Sequence, residues 1–86
     1  MNEKEAIIKL KTCNDKAAFA FLYRSYWAKV YNFTRLYITS AVDVEEIVQE
    51  VFIKYYNNEG KIQSEEHLKS WLLRVTINLC KNKLML

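Results

Sequence analysis

Apolar residues recur at three- and four-residue steps along nearly the whole chain, the spacing that places them on one side of an amphipathic helix. Four helices follow from that pattern. The first, roughly Glu3 to Lys11, gathers Ala6, Ile7 and Leu10 on one face and is expected to stop before Cys13 and Asn14. Asn14 and Asp15 offer an N-cap for the second, whose apolar positions Phe19, Leu22, Tyr26, Val30, Phe33 and Tyr37 form its stripe. Phe21 and Trp27 lie off that stripe, so this helix carries aromatics on more than one side and belongs at the centre, touching several neighbours.

The third helix has the clearest pattern. Asp43 at its N-cap with Glu46 three residues on resembles a capping box, and its acids sit at the positive end of the helix dipole. Val44, Ile47, Val48, Val51, Phe52 and Tyr55 make the core face, which leaves Glu45, Glu46, Gln49, Glu50 and Asn57 pointing outward. Asn57 to Gly60 end the helix, Gly60 being able to supply a left-handed residue, and the loop continues through Gln63. Ser64, followed by Glu65 and Glu66, opens the fourth helix, with a core stripe of Leu68, Trp71, Leu72, Val75 and Leu79.

Composition narrows the class. At 86 residues the chain holds one domain, 1–86, with one small core, and a single Gly with no Pro leaves little material for hairpins. An all-α, compact bundle of about four helices is the expected fold. Two cysteines, Cys13 and Cys80, are too few for a disulfide framework and read as small apolar groups at helix edges. No charged-then-apolar signal segment opens the chain, and the longest apolar run, Ala17 to Tyr23, is far short of a membrane span. A soluble, cytoplasmic protein is expected.

The net charge of +3 is unevenly spread. Asp43 to Glu50 carries four acids and no base, whereas His67 to Leu86 carries Lys69, Arg74, Lys81 and Lys83 and no acid. Two such patches suit two partners, one of them a polyanion, although solvated helix faces give the same pattern.

Catalytic chemistry is hard to find. There is one His, His67, no glycine-rich phosphate loop and no cysteine cluster at metal spacing, and Glu46 with Glu50 lacks the further inward ligands of a diiron bundle. No enzyme, metal or cofactor is expected. On the fourth helix, by contrast, Arg74, Asn78 and Asn82 recur at four-residue steps. Two Asn residues inside a helix cost stability, and their amides suit base edges while Arg74, Lys81 and Lys83 suit phosphates. Trp71 lies on the core stripe beside the preceding loop, with Tyr55, Tyr56 and Ile62 close enough in the fold to help support an unstacked base.

The order of these features, "DVEEIVQEVFIKYY", a short polar loop, then "SWLLRVTINLCKNKL", resembles region 2 of bacterial sigma factors, specifically the extracytoplasmic-function (ECF) alternative sigma factors. The opening "DKAAFAFLYRSYWAKVYNF" is similar to that family's entry into its long second helix, so the resemblance covers nearly the whole chain. It implies a helical bundle that docks on the clamp helices of the RNA polymerase largest subunit and recognises and melts the promoter minus-ten element. It further implies that Asp43, Glu46, Gln49 and Glu50 bind polymerase, and that Arg74, Asn78, Lys81, Asn82 and Lys83 face the non-template strand of the minus-ten DNA. The segment Gly60, Lys61, Ile62, Gln63 and Ser64 corresponds to the one that cradles a flipped base. An anti-sigma factor is an implied partner.

Two departures stand out. Nothing of the second, minus-thirty-five-reading domain follows Leu86, so the resemblance implies a domain or a truncated product of a longer protein, and the tail "NKLML" lacks the arginines common after this helix. The competing reading is a helical interaction module that holds an anti-sigma factor or another helix without touching DNA. A ligand-binding or catalytic bundle is a third. The Arg74, Asn78 and Asn82 row favours the first of these readings, since a protein-binding face would more often expose Leu, Met or Tyr there.

Overall fold

The computed structural model describes residues 1–57 and 61–84, and among them the architecture is entirely helical. The elements are α1 (Glu3–Cys13), α2 (Lys16–Thr34), α3 (Ala41–Tyr56) and α4 (Glu65–Leu84). Gly60, expected to terminate α3, lies outside the described residues.

Local chemistry sets the helix ends. Asn2 caps α1 by accepting the Glu5 N–H at 2.8 Å. The helix runs through Cys13, two residues past the expected stop, because Asn14 ends it in the left-handed conformation (φ 50°, ψ 43°) with its N–H on the Leu10 carbonyl. Asp15 then starts α2 by accepting the Ala18 N–H at 3.1 Å, so one residue of this turn serves each helix. The N-cap of α3 is Ser40 rather than Asp43: the Ser40 hydroxyl accepts the Asp43 N–H, and Asp43 becomes a first-turn acid. Ser64 does the same for α4, accepting the His67 N–H at 3.1 Å.

α2 is the central element, packed against the other three helices. Its buried row is Ala18, Leu22, Tyr26, Val30 and Thr34, a strict four-residue step, and α4 answers with Leu68, Leu72, Thr76 and Cys80 at the same step. This corrects the expected stripes. Phe33 is only half-buried and Tyr37 is exposed, while Trp71, Val75 and Leu79 pack around the core rather than inside it. Thr34 and Thr76 tolerate burial because each hydroxyl donates to the carbonyl one turn back, Val30 at 2.7 Å and Leu72 at 2.6 Å. Cys80 is likewise a core residue and not an edge one, and burial pushes its thiol pKa up; Cys13 is exposed. On α3 all six expected core positions are buried.

Tyr26 ties the bundle together. Its ring is buried, its hydroxyl donates to Glu3 of α1 at 2.7 Å, and the Lys29 ammonium lies 5.4 Å from the ring centroid. At the other flank Tyr23 and Phe52 rings stand 4.8 Å apart, Phe19 and Tyr56 5.0 Å, and Tyr55 and Trp71 5.9 Å. Aromatic contacts of this kind contribute about 0.5 to 1.5 kcal/mol each beyond the area they bury. Among the described residues no helix is long and apolar enough to cross a membrane.

Candidate functional site

Because the inner face of α3 is wholly consumed by the core, its polar residues have one direction left. Glu45, Glu46, Gln49 and Glu50 are exposed and Asp43 is half-buried. Two apolar residues share that outer surface: Val42 is 64% exposed and Ile53 58%. Val42, Glu46, Gln49, Ile53 and Tyr56 step by four, three, four and three, so they make one continuous strip of mixed character. Its C-terminal half borders an open, mainly apolar groove of about 470 Å³ floored by Phe19, Tyr23, Phe52, Ile53 and Tyr56, with Gln49 at its edge. Sequence reasoning found the acids and the amide but missed the groove. The available signal was Ile53, an apolar residue one position off the core stripe.

On α4, Arg74, Asn78, Lys81 and Asn82 are all exposed, as a row offered to a ligand must be. Their neighbours differ. Asn82 lines a cleft of about 560 Å³ between α3 and α4 together with Glu46, Glu50, Lys54, Leu79 and Lys83, whereas Arg74, Asn78 and Lys81 do not border it. Lys83 turns toward α3, its ammonium 3.3 Å from Asp43 and 3.8 Å from Glu46. The basic patch of the sequence therefore meets the acidic one through Lys83. Partly exposed pairs of this kind contribute about 0 to 1 kcal/mol, enough to hold a side chain in place and little more.

The segment before α4 divides sharply. Lys61, Gln63 and Ser64 are exposed, but Ile62 is 3% exposed and belongs to the core, so it anchors the segment instead of supporting a base beside Trp71. Gln63 accepts a 2.8 Å bond from the Lys11 ammonium of α1 through its side chain and donates its backbone N–H to Nδ1 of His67 at 3.2 Å. Trp71 is half-buried against Tyr55, whose phenol burial pushes up to about 12. Among the described residues no group of three or more His, Cys, Asp or Glu side chains is placed to hold a metal ion.

The profile of a family described as Sigma-70 region 2 matches residues 22–85. Similar curated proteins include the ECF RNA polymerase sigma-E factor of Haemophilus influenzae, 34% identical over 80 residues, covering 93% of this chain and 42% of that protein. The RNA polymerase sigma-H factor of Pseudomonas aeruginosa is 32% identical over 71 residues, 83% of this chain and 37% of the relative. The ECF RNA polymerase sigma-E factor of Escherichia coli is 35% identical over the same length, with the same coverage. The chain thus spans roughly two fifths of the length of the curated relatives it matches. No solved structure matches it.

Proposed function

The chain belongs to the sigma-70 region 2 family of sigma factor domains, and from that membership we propose that it joins core RNA polymerase to the promoter minus-ten element and helps to open it. The docking surface in this reading is the outer strip of α3. Glu46, Gln49 and Glu50 offer charge and hydrogen bonds to the clamp helices of the largest subunit, while Ile53 and the aromatic groove receive an apolar side chain. The observation that carries the reading is the combination on α3 of a fully buried inner stripe with an outer face of acids, an amide and exposed apolar groups. Ile53, 58% exposed, is continuous with the groove lined by Phe19, Tyr23, Phe52 and Tyr56, and a contiguous apolar surface of this kind, unlike a lone exposed side chain, marks an interaction site.

α4 supplies the DNA surface. Arg74 and Lys81 hold phosphates, Asn78 and Asn82 present amides to the bases of the non-template strand, and the 60–64 segment holds the base that leaves the stack. None of this is catalysis; the domain works by binding. An anti-sigma factor that buries the same α3 strip excludes polymerase, and the apolar groove favours such a helical competitor on this face.

Capture of core polymerase by the chain tests the docking surface. Glu46→Lys with Glu50→Lys, and separately Ile53→Asp, should weaken capture by several kcal/mol, the scale of like charges or an unpaired charge placed in an interface. Full capture by variants whose helical circular dichroism is intact would remove α3 from the interface.

A further inference from the structure

The residues that lead into α4 are held by bonds the proposed reading does not use. The Gln63 backbone N–H donates to His67 Nδ1 at 3.2 Å, and the His67 N–H donates to the Ser64 hydroxyl at 3.1 Å. This is a reciprocal helix cap in which an imidazole nitrogen replaces the usual carboxylate or amide and reaches one residue further back. A ring nitrogen accepts only while it carries no proton, so the bond requires the neutral ring protonated at Nε2. The Gln63 side chain is held independently, by Lys11 of α1 at 2.8 Å. Ile62, buried next to it, supplies the third point of attachment. α1 lies outside residues 22–85, the part matched by the family profile.

We propose that His67 and Lys11 are positioning residues for the base-holding segment. The neutral imidazole fixes the Gln63 backbone, the ammonium fixes its side chain, and Lys61, Gln63 and Ser64 therefore meet an extruded base already ordered. The inference rests on the assignment of the 60–64 segment to base capture. Protonation of His67 at Nδ1 removes the acceptor and releases the Gln63 N–H. The charged groups around this turn are Lys4 and Lys11 of α1, Glu65, Glu66 and Lys69 of α4, and Lys61 of the segment itself.

Nitrogen-15 NMR of the 86-residue chain through a pH titration reads the ring and the amide together. The Gln63 amide should shift with the same midpoint as the His67 imidazole, and in His67→Asn, whose Oδ1 can take the place of Nδ1, it should hold its bonded position throughout. With core polymerase loaded with this chain, capture of a single-stranded minus-ten oligonucleotide should fall roughly five-fold for His67→Leu or Lys11→Met, the scale of one ordinary hydrogen bond, and stay within about two-fold for His67→Asn. An amide indifferent to the ring, or equal losses for His67→Asn and His67→Leu, overturns the proposal. If the amide follows the ring but capture is unchanged both in His67→Leu and in a Lys61→Ala, Gln63→Ala double variant, the base-holding assignment itself falls. Loss of capture in the double variant alone overturns only the positioning role.

Discussion

Lys83, one residue from the end of α4, places its ammonium 3.3 Å from the Asp43 carboxylate in the first turn of α3. Glu46 lies just behind at 3.8 Å. A side chain suited to DNA phosphates is thus engaged by the acids of the helix proposed to dock on polymerase, and the two surfaces share an edge. The pair should behave as a weak, salt-sensitive latch. In a double-mutant cycle of Lys83→Met and Asp43→Asn, the coupling energy from urea unfolding should be about 0.2 to 1 kcal/mol at low salt and vanish near molar salt. Coupling that persists in high salt would mean the contact is not electrostatic.

The corrected core makes two phenylalanines unequal. Phe52 is 2% exposed, with its ring against Tyr23, and Phe52→Ala should cost about 3 to 5 kcal/mol. Phe33 is half-buried and its aromatic partner is the exposed Tyr37, so Phe33→Ala should cost no more than about 1 to 2 kcal/mol. Urea midpoints of the two variants decide the matter; equal losses would return Phe33 to the core.

The proposed DNA contacts of α4 should separate into readers and holders. Asn78→Ala should lose about 1 to 3 kcal/mol on the preferred minus-ten sequence and little on others. Lys81→Ala should instead weaken all sequences alike and flatten the salt dependence by roughly one ion. The measurement is competition among non-template oligonucleotides on polymerase loaded with the domain. If Asn78→Ala loses every sequence equally, its amide only positions the strand.

Alkaline unfolding should involve two phenols. Burial pushes Tyr55 up to about 12, and burial followed by the bond to Glu3 pushes Tyr26 up as well. A phenol in the unfolded chain titrates near pH 10, so above that value the unfolded chain loses protons that the folded one keeps. Stability is therefore fully present below about pH 10 and lost as pH rises through the folded values. Tyr55→Phe should flatten that decline in urea midpoints taken between pH 8 and pH 12. A parallel decline in the variant would show that Tyr55 does not drive it.

Much of the fold was legible because it depends on period alone. The six buried positions of α3 could be identified one by one, since a helix that packs on one side must repeat its apolar residues at three and four whatever it packs against. Ser64 was legible as a helix start for a similarly local reason, its hydroxyl satisfying an N–H three residues ahead. The outward acids of α3 followed by elimination. Ser40 went unrecognised because Asp43 offers the same cap chemistry three residues later, and only the backbone direction entering the helix separates them.

What periodicity could not decide was which of several apolar rows becomes the seam when a helix has neighbours on three sides. On α2 and α4 the close contacts select the narrow four-residue rows that include Ala18, Thr34, Thr76 and Cys80, and the bulky Phe33, Trp71 and Leu79 are displaced to the flanks. The threonine hydroxyls are satisfied within their own helices, so a polar residue can take a buried place that a larger apolar one on the flank does not. Lys83 with Asp43, Lys11 with Gln63 and Tyr26 with Glu3 belong to the same class. Each joins residues far apart in the chain, and no local pattern specifies such a pair, because its distance is set by how the helices are placed against one another.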